Sequence, residues 1–287
     1  MKINKNILVI GGSGFLASHV ADKLLDDGYK ITIFDEKKSK YLKKDQKFIK
    51  GNILDKVGVL KATKKIDVVY HFASVADIDK ANRSPLNTLN INIFGTINIM
   101  EACIKNKVER IIFASSIYAL SEQGGFYSTS KLSCEMIIEQ YSKKYKIDFN
   151  ILRFGSLYGL RSNYFNSLGK YIAQARKNKK IIRYSDGNEK RNYINVLDAA
   201  SLCVKILSKK HKNIYYNLIG KKNIKVKNVL KIIAKKMGIK KITYKNLSFE
   251  HHYKTNPYTY RLRKGKLLIP KNEIKIEEGI KDIINKL

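Results

Sequence analysis

Asn6-Ile7-Leu8-Val9-Ile10-Gly11-Gly12-Ser13-Gly14-Phe15-Leu16-Ala17 decides the fold. Residues 6–10 form a short, β-rich apolar run, the pattern of a strand buried on both faces. Three glycines follow, and then a helical pattern from about Leu16 to Asp27. Gly12-x-Gly14-x-x-Ala17 has the spacing of a dinucleotide-binding turn, with Ala in the last place. Glycines there permit a tight turn and let a pyrophosphate come close to backbone N–H groups. The helix N-terminus adds a favourable dipole. The bland alternative is a strand–helix turn with no ligand. The next strand, Lys30-Ile31-Thr32-Ile33-Phe34, speaks against it, because it ends on Asp35, about twenty residues on. A carboxylate there can accept hydrogen bonds from ribose hydroxyls, which favours NAD. Lys37 and Lys38 leave some room for NADP.

Working outward, strands and helices alternate. Phe48-Ile49-Lys50-Gly51-Asn52-Ile53-Leu54-Asp55 reads as strand and turn. Ile66 to Ser74 reads as a strand that ends in small residues, Ala73 and Ser74, after Phe72. His71 lies inside that apolar run and reads as a packed structural histidine. Asn90 to Thr96 opens a helix that runs to about Lys105. Arg110-Ile111-Ile112-Phe113-Ala114-Ser115-Ser116 is a strand delivering two serines to the same edge. A helix carrying Tyr127 and Lys131 follows, then a strand at Asp148–Phe154. The alternation predicts an α/β fold: a Rossmann-type, doubly wound parallel sheet with a smaller mixed α/β C-terminal substrate-binding region. Residues 1–159 would hold the dinucleotide, with 187–219 returning to that unit. Residues 160–186 and 220–287 would form the substrate cap. Within 160–245 the pattern predicts helices near 164–177, 197–208 and 226–237. It predicts strands at 181–184, 191–196 and 214–218.

Composition excludes several classes. The chain has 287 residues, enough for one large or two joined domains. No apolar run reaches the length of a membrane span. Cys103, Cys134 and Cys203 form no Cys-x-x-Cys, so neither a metal site nor a disulfide framework is expected, and a cytoplasmic setting is. The formal charge of +33 raises the question of nucleic acid. The lysines are spread along the whole chain without an arginine-rich tail. Nucleic acid is therefore not the expected partner.

Tyr127-Ser128-Thr129-Ser130-Lys131 puts a phenol and an ammonium one helical turn apart, on one face. A cation held beside a tyrosine lowers its pKa and fits it for general-base work on a hydroxyl. A pair of this spacing also arises by chance on an exposed helix face, so its weight comes from the motifs around it.

Taken together these motifs resemble the extended short-chain dehydrogenase/reductase family, in its nucleotide-sugar epimerase and dehydratase branch. The resemblance rests on Gly11-x-x-Gly14-x-x-Ala17, Asp35, Gly51-Asn52-Ile53, His71-Phe72-Ala73 and Asn92-Ile93-Phe94-Gly95-Thr96. It rests further on Ser115-Ser116, Tyr127-x-x-x-Lys131, Arg153-Phe154-Gly155-Ser156-x-Tyr158-Gly159 and Gly187-x-x-x-Arg191 through Asp198. The resemblance implies NAD contacts from Gly11, Gly14, Phe15, Leu16, Asp35, Asn52, Ile53, Phe72, Ala73, Ser74, Asn92, Tyr127 and Lys131. It implies Tyr127 as the base, Lys131 on the nicotinamide ribose, and Ser116 or Ser115 on the substrate hydroxyl. Ser156 and Arg191 would meet the substrate diphosphate, and no metal is implied. It also implies a homodimer pairing helices near 92–105 and 128–145. Ile93, Ile97, Met100 and Met136, Ile137, Tyr141 are spaced as apolar stripes there, and either stripe could instead face its own sheet.

Two departures qualify the match. The segment from Ile117 to Phe126 is short for this family. Ile117-Tyr118 stands where relatives that eliminate water carry Asp-Glu. The expected reaction is NAD-dependent oxidation of a nucleotide-sugar hydroxyl at C4. Retention of the keto sugar makes a 4-epimerase, the reading favoured here; its release makes a 4-dehydrogenase acting on, for example, a GDP-linked hexose or heptose in surface-polysaccharide biosynthesis. A 4,6-dehydratase is disfavoured by Ile117 and Tyr118. A non-catalytic NAD- or RNA-binding protein on this fold is opposed by Tyr127, Lys131 and Asp35.

Overall fold

The computed structural model describes residues 5–162 and 166–245. Strand β1 (Asn6–Ile10) leads through the glycine turn into α1 (Phe15–Asp26). Then come β2 (Lys30–Asp35), β3 (Gln46–Lys50), α2 (Lys56–Ala62) and β4 (Val68–His71). Helices α3 (Ile78–Arg83) and α4 (Pro85–Leu89) precede a π-helical turn at Asn90–Phe94, which runs into α5 (Gly95–Lys105). Strand β5 (Arg110–Ser116) passes through a 3₁₀ turn at Ile117–Leu120 into the long α6 (Gly125–Tyr145), followed by β6 (Asp148–Phe154).

These strands, with one added later in the chain, form a seven-stranded sheet in the order β3-β2-β1-β4-β5-β6 and, beyond β6, β10 (Ile214–Leu218). Every pairing in it is parallel. Side chains alternate along a strand, so β1 feeds two cores. Ile7 and Val9 pack with α1 on one face, in a core that also holds Ala199 and Cys203. Leu8 and Ile10 pack on the other with Val59 of α2, Ile99 of α5 and Ile138 of α6. All four β1 residues are fully buried. Each such aliphatic side chain contributes about 1.5–3 kcal/mol. The strand order reverses between β1 and β4, and the crevice outside their C-terminal ends is where this architecture binds ligands.

After β6 the chain builds smaller pieces: β7 (Ser156–Tyr158), α7 (Ser167–Asn178), β8 (Ile181–Arg183), β9 (Lys190–Asn195) and α8 (Val196–Lys205). Strand β10 then joins the large sheet, and β11 (Asn223–Lys225), α9 (Val226–Met237) and β12 (Ile242–Tyr244) follow. Strands β7, β9 and β11 form one small sheet, and β8 with β12 another. Tyr171 and Ala175 of α7 share a core with Leu230 and Ile233 of α9. Residues 246–287, expected to belong to the cap, lie outside the described residues.

Several boundaries differ from the sequence reading. The expected strand at 66–74 stops at His71, because the Phe72 and Ala73 amides both turn to the Ile10 carbonyl. Helix α8 begins at Val196 and ends by Lys205, its first turn capped by the Asn195 side chain. The stripe assigned to a dimer face is split. Met100 is fully buried against its own sheet, whereas Met136 is 59% exposed.

Candidate active site

Gly11 ends β1 with φ +77, and its amide donates to the Phe34 carbonyl at 2.8 Å. A Cβ here would lie 2.5 Å from the Ala73 amide nitrogen, so only glycine fits between β1 and the segment after β4. Gly14 is the N-cap of α1 and has no side chain to satisfy the first amides, and no acid stands in the first turn. The α1 N-terminus therefore keeps its donors and its positive pole for an anion. Phe15 and Leu16 form that first turn, Leu16 buried beneath it. Asp35 accepts from the Ser13 amide at 3.0 Å and the Lys37 amide at 3.1 Å. Its carboxylate thus braces the glycine turn at the position where a ribose would be met.

The other predicted cofactor residues divide by role. Asn52 is exposed and donates to Glu36 at 2.7 Å, while Ile53 is buried against Gly95. Phe72, Ala73 and Ser74 are half-buried along the crevice. Asn92 is buried; its Oδ1 accepts from the Val75 amide at 2.7 Å and its Nδ2 donates to Ser130 Oγ at 2.9 Å. It ties the crevice wall to α6. The whole edge fits NAD: a backbone cradle that a Cβ would fill, uncapped helix amides, and a carboxylate at the ribose position.

Tyr127, Lys131 and Ser116 meet at the end of β5. Lys131 donates to the Ala114 carbonyl at 2.9 Å and to Ser74 Oγ at 3.2 Å, which bridges the β4 and β5 ends. Its Nζ sits 5.9 Å from the centre of the Tyr127 ring. Burial pulls the ammonium down to about 8. Ser116 Oγ accepts the Tyr118 amide at 3.2 Å, capping the 3₁₀ turn, and hydrogen-bonds the Tyr127 phenol. The sequence reading had Lys131 lowering the Tyr127 pKa. In the structure burial raises it, with the Ser116 bond pulling the other way. The physical reason is placement: the phenol is only 9% exposed, and the ammonium spends donors on Ala114 and Ser74.

Ser115, the alternative hydroxyl, goes elsewhere. It donates to Glu135, which Arg153 grips at 2.9 and 2.6 Å. Glu135 lies four residues beyond Lys131, and that spacing was a signal available in the sequence. Asn82 carried no such signal. Its side chain accepts the Phe126 amide at 2.9 Å and donates to the Gly124 carbonyl at 3.3 Å, holding the start of α6. His71 is packed, as expected. Its Nε2 lies 2.9 Å from Thr96 Oγ1, whose own proton goes to the Asn92 carbonyl at 2.6 Å. The ring therefore donates from Nε2. Burial, then Lys131, holds it down at about 3 and neutral.

Ser156 and Arg191 share the small sheet, since Ser156 pairs with Tyr193, two residues from Arg191. Arg191 Nη1 donates to the Lys190 carbonyl at 2.9 Å. Nearby, Arg183 pairs with the buried Glu189 and donates to the Tyr171 hydroxyl at 2.6 Å. The loop after β7 is fastened to α1: His19 donates to the Leu160 carbonyl at 3.0 Å, and Arg161 pairs with Asp22 at 2.8 Å. No cluster of metal ligands occurs among the described residues, and none of their helices is long and apolar enough to cross a membrane.

A dinucleotide crevice beside a Tyr–Lys–Ser group defines an NAD-using enzyme of the short-chain dehydrogenase/reductase type. The chain belongs to the NAD-dependent epimerase/dehydratase family, whose model matches residues 7–218. It is 29% identical to a putative UDP-glucose 4-epimerase of Methanocaldococcus jannaschii, across 97% of both chains. It is 28% identical to the human dTDP-D-glucose 4,6-dehydratase, over 75% of this chain and 69% of that one. Among solved structures it is similar to a UDP-glucose 4-epimerase of Thermotoga maritima determined with UDP-glucose. There the TM-score is 0.82 at 25% identity, covering 98% of this chain and 99% of the other.

Proposed function

We propose that this protein is a nucleotide-sugar 4-epimerase. Residues 1–159 with 187–219 would form the NAD unit, and 160–186 with 220–287 the substrate cap. The observation that carries the reading is the buried Tyr127 phenol, held by Ser116 beside Lys131 at the sheet edge, with Ile117 and Tyr118, not carboxylates, following Ser116. Ile117 is buried, Tyr118 stands edge-on to Tyr127 with ring centres 6.3 Å apart, and Glu122 is exposed. Elimination of water needs an acid and a base beyond the hydride step, and this turn does not supply them. Bound NAD supplies a hydride acceptor. Tyr127 would take the proton of the C4 hydroxyl, Ser116 would donate to the same oxygen, and Lys131 would hold the nicotinamide ribose. After oxidation the keto sugar would turn in the site, C4 would take back the same hydride on its other face, and Tyr127 would return the proton to the oxygen.

The test is incubation with UDP-glucose and with UDP-galactose, followed by chromatography. A mixture of both C4 epimers with no accumulating NADH is expected. Steady NADH accumulation would make the protein a 4-dehydrogenase, and loss of water from the sugar a dehydratase.

Arg191 is proposed to grip the diphosphate with Ser156 beside it, because a guanidinium fork matches phosphate oxygens. Arg191→Ala should raise the KM for nucleotide sugar by an amount corresponding to about 1.5–3 kcal/mol. NAD affinity, measured by fluorescence titration, should stay unchanged. The assembly is proposed to be a homodimer through α5 and α6, where Ile97, Met136, Ile137 and Tyr141 line an exposed apolar hollow. Light scattering at the mass of one 33.0 kDa chain would refute it.

A further inference from the structure

Helix α6 lies on β5 through one stripe of side chains. Tyr127 meets Ser116, Lys131 meets the Ala114 carbonyl, and Glu135 meets Ser115. Positions 127, 131 and 135 are successive turns of one helix face. The first two belong to the proposed chemistry; the third has no part in it, yet it is the most deeply buried acid of the described residues, 2% exposed. A buried carboxylate is costly unless it is paired and fully hydrogen-bonded. Glu135 meets that condition. Arg153 of β6 binds both of its oxygens, from Nε at 2.9 Å and Nη2 at 2.6 Å, and the Ser115 hydroxyl donates to the first. Ser115 and Arg153 are register partners on adjacent strands, so the carboxylate closes a three-way joint between α6, β5 and β6. The Arg153 guanidinium also lies 4.9 Å from the Tyr215 ring of β10, which extends the joint to the sheet's last strand.

We propose that Glu135, locked by Arg153 and Ser115, is a positioning residue: it sets the register of α6 on β5 that brings Tyr127 to Ser116, and it supplies the counter-charge of Lys131. This rests on the reading of Tyr127 and Lys131 given above. Breaking a buried pair frees a charge and loosens the joint it closed, whereas a packing role alone would leave the titration of Lys131 where it is.

The surroundings of Lys131 show why the charge matters. From α6 it faces Tyr127, Cys134 and Glu135; from the end of β4, the neutral His71 and the Ser74 hydroxyl; from β5, the Ala114 carbonyl and the Phe113 ring, 4.9 Å away. Arg153 of β6 is the other charge near the group, and it is spent on Glu135. Burial pulls the ammonium down to about 8, while Cys134 and Glu135 act in the opposite direction. The Cys134 thiol is itself pushed up by burial, which leaves the Glu135 carboxylate, paired with Arg153, as the acidic partner of the set. Without it, the ammonium loses its proton at a lower pH.

The experiment measures Lys131 directly in the full-length protein, by competitive acetylation with a trace of acetic anhydride across a pH series. Mass spectrometry reads the peptide that carries Lys131. In Glu135→Gln, which keeps the shape and removes the charge, the titration midpoint should move below that of the unaltered protein. Glu135→Asp should restore most of it. Turnover in Glu135→Gln should fall by about a hundredfold, the cost of misplacing reacting groups by an ångström, with its alkaline limb moved to lower pH. If Glu135→Gln does not fold, Glu135→Gln/Arg153→Lys removes the carboxylate while keeping the neighbouring cation and is read in the same way. An unchanged Lys131 midpoint in whichever of these variants folds overturns the proposal. The labelling needs no substrate: a shifted midpoint with no sugar turned over defeats only the epimerase reading, and turnover with an unmoved midpoint defeats only this one.

Discussion

Two strand–turn–helix units open on the same edge of the sheet, and they are built in opposite ways. Between β1 and α1 the turn is made of backbone. Gly11, Gly12 and Gly14 leave space, the uncapped start of α1 leaves amides, and Asp35 fastens the turn through the Ser13 amide. Between β5 and α6 the turn is made of side chains. Ser116 caps the 3₁₀ turn and holds Tyr127, Asn82 pins Phe126 and Gly124, and Lys131 reaches back to Ala114. The first unit can cradle a ligand and has nothing with which to move a proton. The second can move a proton, and it needs several other elements to place its groups. Damage to the first should be seen in cofactor binding, and damage to the second in turnover.

The largest expected effect separates them most sharply. Tyr127→Phe keeps the ring in the cluster with Val75 and Ala81, so NAD should bind as before. It removes the oxygen proposed to act as acid and base, and turnover should fall by about 10²–10⁴. A variant that keeps full activity while Tyr118→Phe loses it would move the chemistry to the neighbouring ring. Ser116→Ala comes next. It deletes a hydrogen bond to a developing phenolate, which is worth about 1.5–3 kcal/mol. That loss should appear in kcat, and NAD titration should be unmoved.

On the glycine side, Gly11→Ala forces a side chain into a left-handed position already pressed against Ala73. The strain is on the order of 1–3 kcal/mol. It should be read as weaker NAD binding and a lower melting temperature, with kcat at saturating NAD nearly intact. A large loss in kcat alone would erase the contrast between the two turns. Asp35→Ala has the smallest effect. A carboxylate at that position repels a 2′-phosphate, so the variant should narrow the preference for NAD over NADP in paired titrations. Tighter NADP than NAD binding in the unaltered protein would contradict the role given to Asp35.

The backbone-made turn was legible in full, because its signal is contained in Gly11 to Asp35, a contiguous stretch. The helix proposed to carry the chemistry was legible as a pair of residues, Tyr127 and Lys131, and less so as a site. Nothing near residue 127 announces that Asn82, more than forty positions earlier, holds the start of the helix. The Tyr127 pKa was read in the wrong direction for the same reason. Sequence spacing places a cation nearby but does not say how deeply the phenol is buried or where the ammonium spends its donors.

By itself the sequence determined the parallel doubly wound sheet, the dinucleotide edge and the identity of Tyr127, Lys131 and Asp35 as candidates. Apolar period, turn glycines and helical spacing are properties of neighbouring residues, and they survive without knowledge of the rest. Only the tertiary structure sent two adjacent serines to different partners. Ser116 emerges at the strand end beside Tyr127, while Ser115 lies across from Arg153 of β6 and donates to Glu135. Only there did Met100 turn inward and Met136 outward. Those outcomes depend on which helix covers which strand and in what register, and that is set by packing between segments far apart in the chain.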